Sequence, residues 1–314
     1  MAKAKTPDVS LVVPCYNEAA ALPFLYAELG RVRDALPGRR FEFIFVDDGS
    51  VDGTGAAVAE LARRDGDARY ISFSRNFGKE AALLAGLEAA RGTYVGVIDA
   101  DLQDPPALIP DMLGALETGE WDCVATRRVS RKGEPAIRSL FARLFYRIMR
   151  RISDAHIVDG ARDFRLMTRQ MRDAIVSMTE YNRFSKGIFS WVGFRTRWIE
   201  FENVERVAGE TKWSFWGLFL YSLEGITAFS TVPLILASVF GFVFCIASFV
   251  LACFVIVKTI FWGDPVAGYP SLMSVILFIG GIQLFTIGIL GQYLAKTYLE
   301  AKKRPVYIVK DRSE

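Results

Sequence analysis

Tyr94-Val95-Gly96-Val97-Ile98-Asp99-Ala100-Asp101-Leu102-Gln103-Asp104-Pro105-Pro106 is an apolar run that ends abruptly in carboxylates. Tyr94 to Ile98 suit a short, buried strand of a parallel sheet. Asp99, Asp101 and Asp104 then crowd into six positions, with Gln103 among them. Like charges this close repel, so the cluster needs a compensating cation or a solvated loop. Hard oxygen donors favour Mg²⁺ or Mn²⁺, ions that keep waters and bridge a substrate's phosphates. The same residues also fit an acidic turn that opens the next helix, with Pro105 and Pro106 at its start.

Upstream, the same pattern repeats. Ser10–Pro14, Phe41–Val46 and Arg69–Ser74 read as β-rich strands, and Ala19–Leu36, Gly55–Arg64 and Glu80–Ala90 as helices. Alternation of this kind predicts an α/β fold, a parallel sheet with helices on both faces. Ligands of such sheets sit at the carboxyl ends of the strands. Polar clusters fall at each predicted end: Tyr16-Asn17-Glu18, Asp47-Asp48-Gly49-Ser50, Arg75-Asn76-Phe77-Gly78-Lys79, and the Asp99 cluster. One such cluster could be a helix cap. Four together predict an active-site rim.

The C-terminal third differs. No charged residue occurs from Gly225 to Val257, nor from Pro265 to Ala295. Each run exceeds the roughly 20 residues that cross a bilayer core, so two transmembrane helices are expected, near 232–257 and 272–295. They account for a hydrophobic content of 52% and a mean hydropathy of +0.24 in a chain of 314 residues with 23% charged side chains. Gly263, Pro265, Gly268 and Pro270 mark the turn between them. Arg206 and Lys212 precede the first run, and Lys296, Lys302, Lys303 and Arg304 follow the second. That bias predicts an integral inner (plasma) membrane protein whose N-terminal part and C-terminus are cytoplasmic. Met1–Asp8 is not apolar, so no signal peptide is expected at this end.

Between the two regions, arginines from Arg127 to Arg151 interleave with Leu140, Phe141, Leu144, Phe145, Ile148 and Met149. This predicts a basic amphipathic helix at the membrane interface. Trp213–Phe229 reads as a second interfacial helix. A net charge of +3 and the lack of a basic stripe before residue 126 argue against nucleic acid as a partner. Four scattered cysteines have no metal-type spacing, and with His156 the lone histidine a histidine-based zinc site is excluded.

Together, Pro14-Cys15-Tyr16-Asn17-Glu18, Val46-Asp47-Asp48-Gly49-Ser50 with Asp52 and Thr54, and Asp99 to Pro106 resemble the nucleotide-sugar glycosyltransferases of family 2, with their GT-A fold. Arg75-Asn76-Phe77-Gly78-Lys79-Glu80, Asp163-Phe164-Arg165-Leu166 and Gly209-Glu210-Thr211-Lys212-Trp213 narrow the resemblance. They look like the polyprenyl-phosphate glycosyltransferases: dolichol-phosphate mannose synthases and, more closely, undecaprenyl-phosphate glucosyltransferases of the GtrB type. The resemblance covers nearly the whole chain. It implies a tail over 1–8, a nucleotide-sugar-binding domain over 9–125 and an acceptor-side region over 126–212. A juxtamembrane helix over 213–230, two transmembrane helices within 231–297 and a cytoplasmic tail over 298–314 would follow.

The resemblance also implies site roles. Pro14, Tyr16, Glu18, Asp47, Asp48, Arg75, Lys79 and Asp99 would hold the donor. Asp101 and Gln103 would bind the Mg²⁺ or Mn²⁺. Asp163 would be the catalytic carboxylate, as orienting group or weak base, although Asp in this setting is also a common N-cap. Lys79 could equally be a solvated charge at a helix start. Arg127, Arg138, Arg206 and Lys212 are candidates for the acceptor phosphate. The implied reaction is inverting transfer of one hexose, glucose from UDP-glucose in the favoured reading, to undecaprenyl phosphate. GDP-mannose is the alternative donor. Processive polysaccharide synthesis is disfavoured, because the Gln-x-x-Arg-Trp signature is missing. Similar proteins form homo-oligomers, which is expected here too.

Overall fold

The computed structural model describes residues 6–128, 158, 160–201, 226–227, 230–262 and 268–313. Eight strands form one sheet in the order β7-β5-β6-β4-β1-β2-β3-β8. They are β1 (Val9–Cys15), β2 (Phe41–Asp47), β3 (Ala68–Phe73), β4 (Tyr94–Val97), β5 (Cys123–Arg128), β6 (Ala161–Thr168), β7 (Thr196–Phe201) and β8 (Val309–Arg312). The helices are α1 (Leu22–Ala35), α2 (Thr54–Arg64), α3 (Lys79–Ala89), α4 (Ile109–Glu117), α5 (Arg169–Ser177), α6 (Ser185–Trp191), α7 (Val232–Trp262) and α8 (Tyr269–Lys302).

Strand alternation builds the layers, because successive side chains point to opposite faces. Leu11 and Val13 of β1, with Phe43 and Phe45 of β2, join Leu22, Leu25 and Leu29 of α1 and Met112 of α4 in one core. Val12, Ile44 and Val46 point the other way and pack with Ala82, Leu83 and Leu87 of α3 and Met171 of α5. On that second face α3 lies almost against β1: a Cβ on Gly86 would stand 2.1 Å from Val12 Cγ1. Only glycine allows that approach.

The expectation of a parallel sheet holds for β3-β2-β1-β4 and fails on both flanks. β6 lies antiparallel between β4 and β5, and β8 pairs antiparallel with β3. Both strands are hidden from the apolar pattern. Arg165 of β6, a charged residue in sequence, is buried with its guanidinium 3.6 Å over the Phe189 ring. β8 adds backbone hydrogen bonds to an open sheet edge without any apolar pattern of its own. The C-terminal tail is therefore in part a strand of the same sheet.

Two windows, Val232–Leu251 and Phe278–Lys302, are long and apolar enough to cross a membrane. Their large side chains face outward; Phe249 is 70% exposed and Leu284 72%. Helices that bury so little within the fold are not core helices, and a bilayer is the solvent that suits such surfaces. The predicted helices over 127–151 and 213–230 lie outside the described residues, apart from their ends.

Candidate active site

The rim forms where the parallel strands end. After β1, Asn17 adopts φ 53°, donates its backbone N–H to Ser50 Oγ at 2.9 Å and accepts from Val51 N at 2.9 Å. Glu18 N donates to Thr54 Oγ1 at 2.9 Å, and Thr54 Oγ1 in turn donates to Asp52 Oδ1 at 2.5 Å. The Tyr16–Glu18 turn is thus held on the loop after β2, and Tyr16 stays exposed. Pro14 sits beside Val46 in the β1–β2 register, just inside that turn.

Asp47 and Asp48 are buried side by side but work differently. Asp47 accepts from Ser50 N at 3.0 Å and from Ser72 Oγ at 2.8 Å. Asp48 spends both oxygens on backbone, accepting from Phe77 N at 2.7 Å and Gly78 N at 2.9 Å. Burial raises its pKa, while those two donors oppose the rise. Asp48 therefore shapes the loop after β3. Gly49, at φ +66°, lets that loop close in; a Cβ there would be 2.4 Å from the Arg75 carbonyl carbon. Arg75 lies over the Phe77 ring at 4.0 Å and donates to the Asn76 carbonyl at 2.8 Å.

The centre of the rim is Lys79, at the start of α3. Its ammonium donates to Asp163 Oδ2 at 2.5 Å and lies 2.7 Å from Asp99 Oδ1. Desolvation works against the Lys79 charge, but the Asp163 and Asp99 carboxylates outweigh it and hold its pKa above normal. For Asp163 burial pulls upward, and Lys79, then Lys186, overcome it and set the carboxyl well below the usual range. Lys79 is thus a cation shared by two carboxylates, with its side chain still 41% exposed. Asp163 is not an N-cap: it lies inside β6, next to the end of β4.

The acidic cluster after β4 finds cations of its own. Lys79 compensates Asp99, and Arg162 compensates the fully buried Asp104 through Nε at 2.8 Å. Burial still pushes the Asp104 carboxyl up to about 6, against the Arg162 charge. Asp101 accepts from Gln103 N at 3.2 Å across Leu102, which is held at φ 57°. A left-handed non-glycine residue costs about 1–3 kcal/mol, and such strain gathers at functional sites. Among the described residues no three His, Cys, Asp or Glu side chains converge to hold a metal. Asp101 and Gln103 offer two hard oxygen donors at one tight turn. That set fits an ion whose remaining positions go to waters and a substrate's phosphates.

Of the acceptor candidates, Arg127 is the penultimate residue of β5, at the same rim, and pairs with Glu200 of β7. Arg138, Arg206 and Lys212 lie outside the described residues. Sequence reasoning assigned no role to Arg162, Lys186 or the Glu80–Ser185 pair, in which Glu80 Oε2 accepts from both Ser185 N, at 2.9 Å, and Ser185 Oγ. The burial of Glu80 beside α6 carries no local sequence signal.

A mixed α/β sheet with polar strand ends gathered on one rim, followed by two apolar helices, has the form of an α/β enzyme domain with candidate membrane spans. Residues 10–175 match the profile of glycosyl transferase family 2, and the chain belongs to that family. The prophage bactoprenol glucosyl transferase homolog of Escherichia coli (strain K12) is 43% identical over 302 residues, covering 96% of this chain and 98% of that protein. The bactoprenol glucosyl transferase of Shigella phage SfV is 42% identical, covering 98% of this chain and 99% of its own. A solved glucosyl-3-phosphoglycerate synthase from Mycobacterium tuberculosis is 20% identical over 70% of this chain and 78% of its own, with a TM-score of 0.48. At that distance it carries no functional weight.

Proposed function

We propose that this enzyme transfers a single glucose from UDP-glucose to undecaprenyl phosphate at the cytoplasmic face of the membrane, inverting the anomeric centre. The observation that carries the proposal is the full-length likeness to bactoprenol glucosyl transferases, which spans both the catalytic sheet and the two apolar helices.

In the proposed reaction a phosphate oxygen of the lipid attacks the anomeric carbon from the side opposite the leaving group. The bond from that carbon to the donor's diphosphate breaks, and its electron pair leaves with UDP. A phosphate monoester has a second pKa of about 6, so the nucleophile is substantially ionised at neutral pH. Asp163, held anionic by Lys79, is correspondingly a poor proton acceptor. Its role is to orient the sugar or the acceptor. Pro14, Tyr16, Glu18 and Asp47 hold the nucleoside, and Asp48 sets the loop that carries Arg75 and Lys79 toward the phosphates. Asp101 and Gln103 would hold Mg²⁺ or Mn²⁺, which when bound would supply positive charge toward a departing diphosphate. Arg127, with Arg138, Arg206 and Lys212, is assigned to the acceptor phosphate.

The topology supports a cytoplasmic site. β8 follows α8 directly and pairs with β3 of the catalytic sheet, so the chain leaves and rejoins that sheet on one side of the bilayer. Lys302, Lys303 and Arg304 at the exit fit the positive-inside bias.

The test is incubation of purified protein, undecaprenyl phosphate and Mg²⁺ with radiolabelled UDP-glucose or GDP-mannose, followed by mass analysis of the lipid. One hexose on the lipid from UDP-glucose alone is the expected product. A mannosyl lipid or a ladder of sugars would overturn the reading.

A further inference from the structure

A cavity of about 340 Å³ opens beside the rim but apart from the carboxylate cluster. Its walls come from the loop after β3, from the 181–184 segment between α5 and α6, and from α8. Lys79, Asp99, Asp101 and Asp163 are not among the residues that line it.

Arg183 and Lys296 bring two cations to this space, and Arg75, assigned to the donor phosphates, borders it. Arg183 is fixed in place: its guanidinium donates to the carbonyls of Met178, at 2.5 Å, and Ile175, at 3.2 Å. Its nearest acid, Glu180, is 4.0 Å away, and burial lowers its pKa. Asn182 adds a donor, because its buried Nδ2 has no hydrogen-bond partner among the described residues. Among the described residues Glu80 is the one acid lining the cavity. Its Oε2 is taken by Ser185, and burial pushes its carboxyl up to about 7, which softens repulsion of an anion near neutrality. A guanidinium, an ammonium and an amide N–H around one space form a set of donors suited to phosphate oxygens.

The position of Lys296 says where the phosphate comes from. It is the first charged residue after the uncharged run from Pro265 to Ala295, so it marks the level at which α8 leaves hydrocarbon. One turn on, Glu300 accepts from Tyr181 N at 2.8 Å and Asn182 N at 3.3 Å, clamping the cavity wall to the helix. Basic pockets at this depth on the cytoplasmic side bind lipid headgroups.

We propose that the cavity holds the phosphate headgroup of an anionic glycerophospholipid, distinct from the acceptor, and so fastens α8 to the Arg75–Gly78 loop. The inference rests on the membrane placement in the proposed function, not on the identity of the sugar or acceptor.

The full-length protein is purified in neutral detergent and exposed to phosphatidylglycerol or phosphatidylcholine, and retained lipid is counted by native mass spectrometry. Phosphatidylglycerol should be retained about fivefold better, the preference expected of one cation at an anionic headgroup. Asn182→Asp and Lys296→Gln, on separate elements, should each abolish the preference, whereas Arg304→Gln should keep it. Equal retention of the two lipids overturns the proposal, as does an unchanged preference in both cavity variants. Displacement by inorganic phosphate alone would assign the cavity to a free anion instead, and one-for-one displacement by undecaprenyl phosphate would make it the acceptor's own site. Both outcomes overturn it. Loss of sugar transfer with lipid retention intact would count against the proposed function and leave this site standing.

Discussion

Lys79 Nζ stands 2.5 Å from Asp163 Oδ2, joining residues 84 apart in sequence into one ion pair at the centre of the rim. The same ammonium reaches Asp99, so two carboxylates share one cation. In Lys79→Met the length of the side chain survives and the charge does not, which leaves Asp99 and Asp163 to repel each other. Turnover should fall about a hundredfold, the scale on which a misplaced reacting group is felt. With its cation gone, the Asp163 carboxyl should titrate higher, and the acid limb of the pH–rate profile should move upward. In the wild type the depressed pKa keeps Asp163 charged through the neutral range. The stability it contributes is present above its ordinary value of 3.8 and is lost only as pH falls through the lower folded value. Steady-state rates of the two proteins across pH decide the matter; an unchanged kcat in Lys79→Met would remove Lys79 from the mechanism.

Arg162 and Asp104 form the second compensated pair, and here the consequence is for stability. Asp104 is fully buried, and the Arg162 side chain is 23% exposed. Removing the cation strands a buried carboxylate, which costs about 3 kcal/mol or more. Arg162→Met should therefore melt well below the wild type, while Asp104→Asn combined with Arg162→Met should recover much of the loss. Thermal unfolding of the single and double variants tests this. Additive losses would show that the two side chains do not act as a pair.

What the sequence could show depended on where the apolar signal lay. β1 to β4 stand out because they are buried runs bounded by turn residues, and their polar ends mark the rim. β6 does not stand out. Val158-Asp159-Gly160-Ala161-Arg162-Asp163 looks like the approach to a helix, whereas Ala161, Arg162 and Asp163 open β6, which lies between β4 and β5. The residues of the site were therefore visible while their pairings were not: nothing local ties Lys79 to Asp163, or Arg162 to Asp104. β8 is fainter still, since all four of its residues are exposed and its pairing is made by backbone.

Glu80 offers a test by pH. Its carboxyl is pushed by burial from 4.5 up to about 7, against the hydrogen bonds from Ser185. An acid whose folded pKa is raised binds its proton better when folded, so it takes stability away as pH rises from about 4.5 to about 7. Glu80→Gln stays neutral and can still accept one bond from Ser185. Its melting temperature should lack that decline and exceed the wild type's at pH 8. Parallel melting curves against pH would refute the assignment.

The C-terminal strand supplies the last test, because it ties the membrane helices to the catalytic sheet. Tyr307 stacks on Phe73 with ring centroids 4.9 Å apart, and its hydroxyl donates to Glu88 of α3. Further along, Ser313 N donates to the Tyr70 carbonyl at 3.0 Å, and Tyr70 Oη donates to Asp311 at 2.7 Å. Without these contacts β3 becomes an open edge, and open edges invite pairing with other chains. Tyr307→Ala removes the stacked ring and should cost about 2–3 kcal/mol, of which stacking accounts for about 1. Deleting residues 305–314 removes β8 as well and should produce aggregation on mild heating while both apolar helices remain. Light scattering during a thermal ramp, with membrane extraction as the control for insertion, distinguishes the cases. A truncated protein that stays monodisperse and melts with the wild type would show that β8 contributes nothing to the edge it covers.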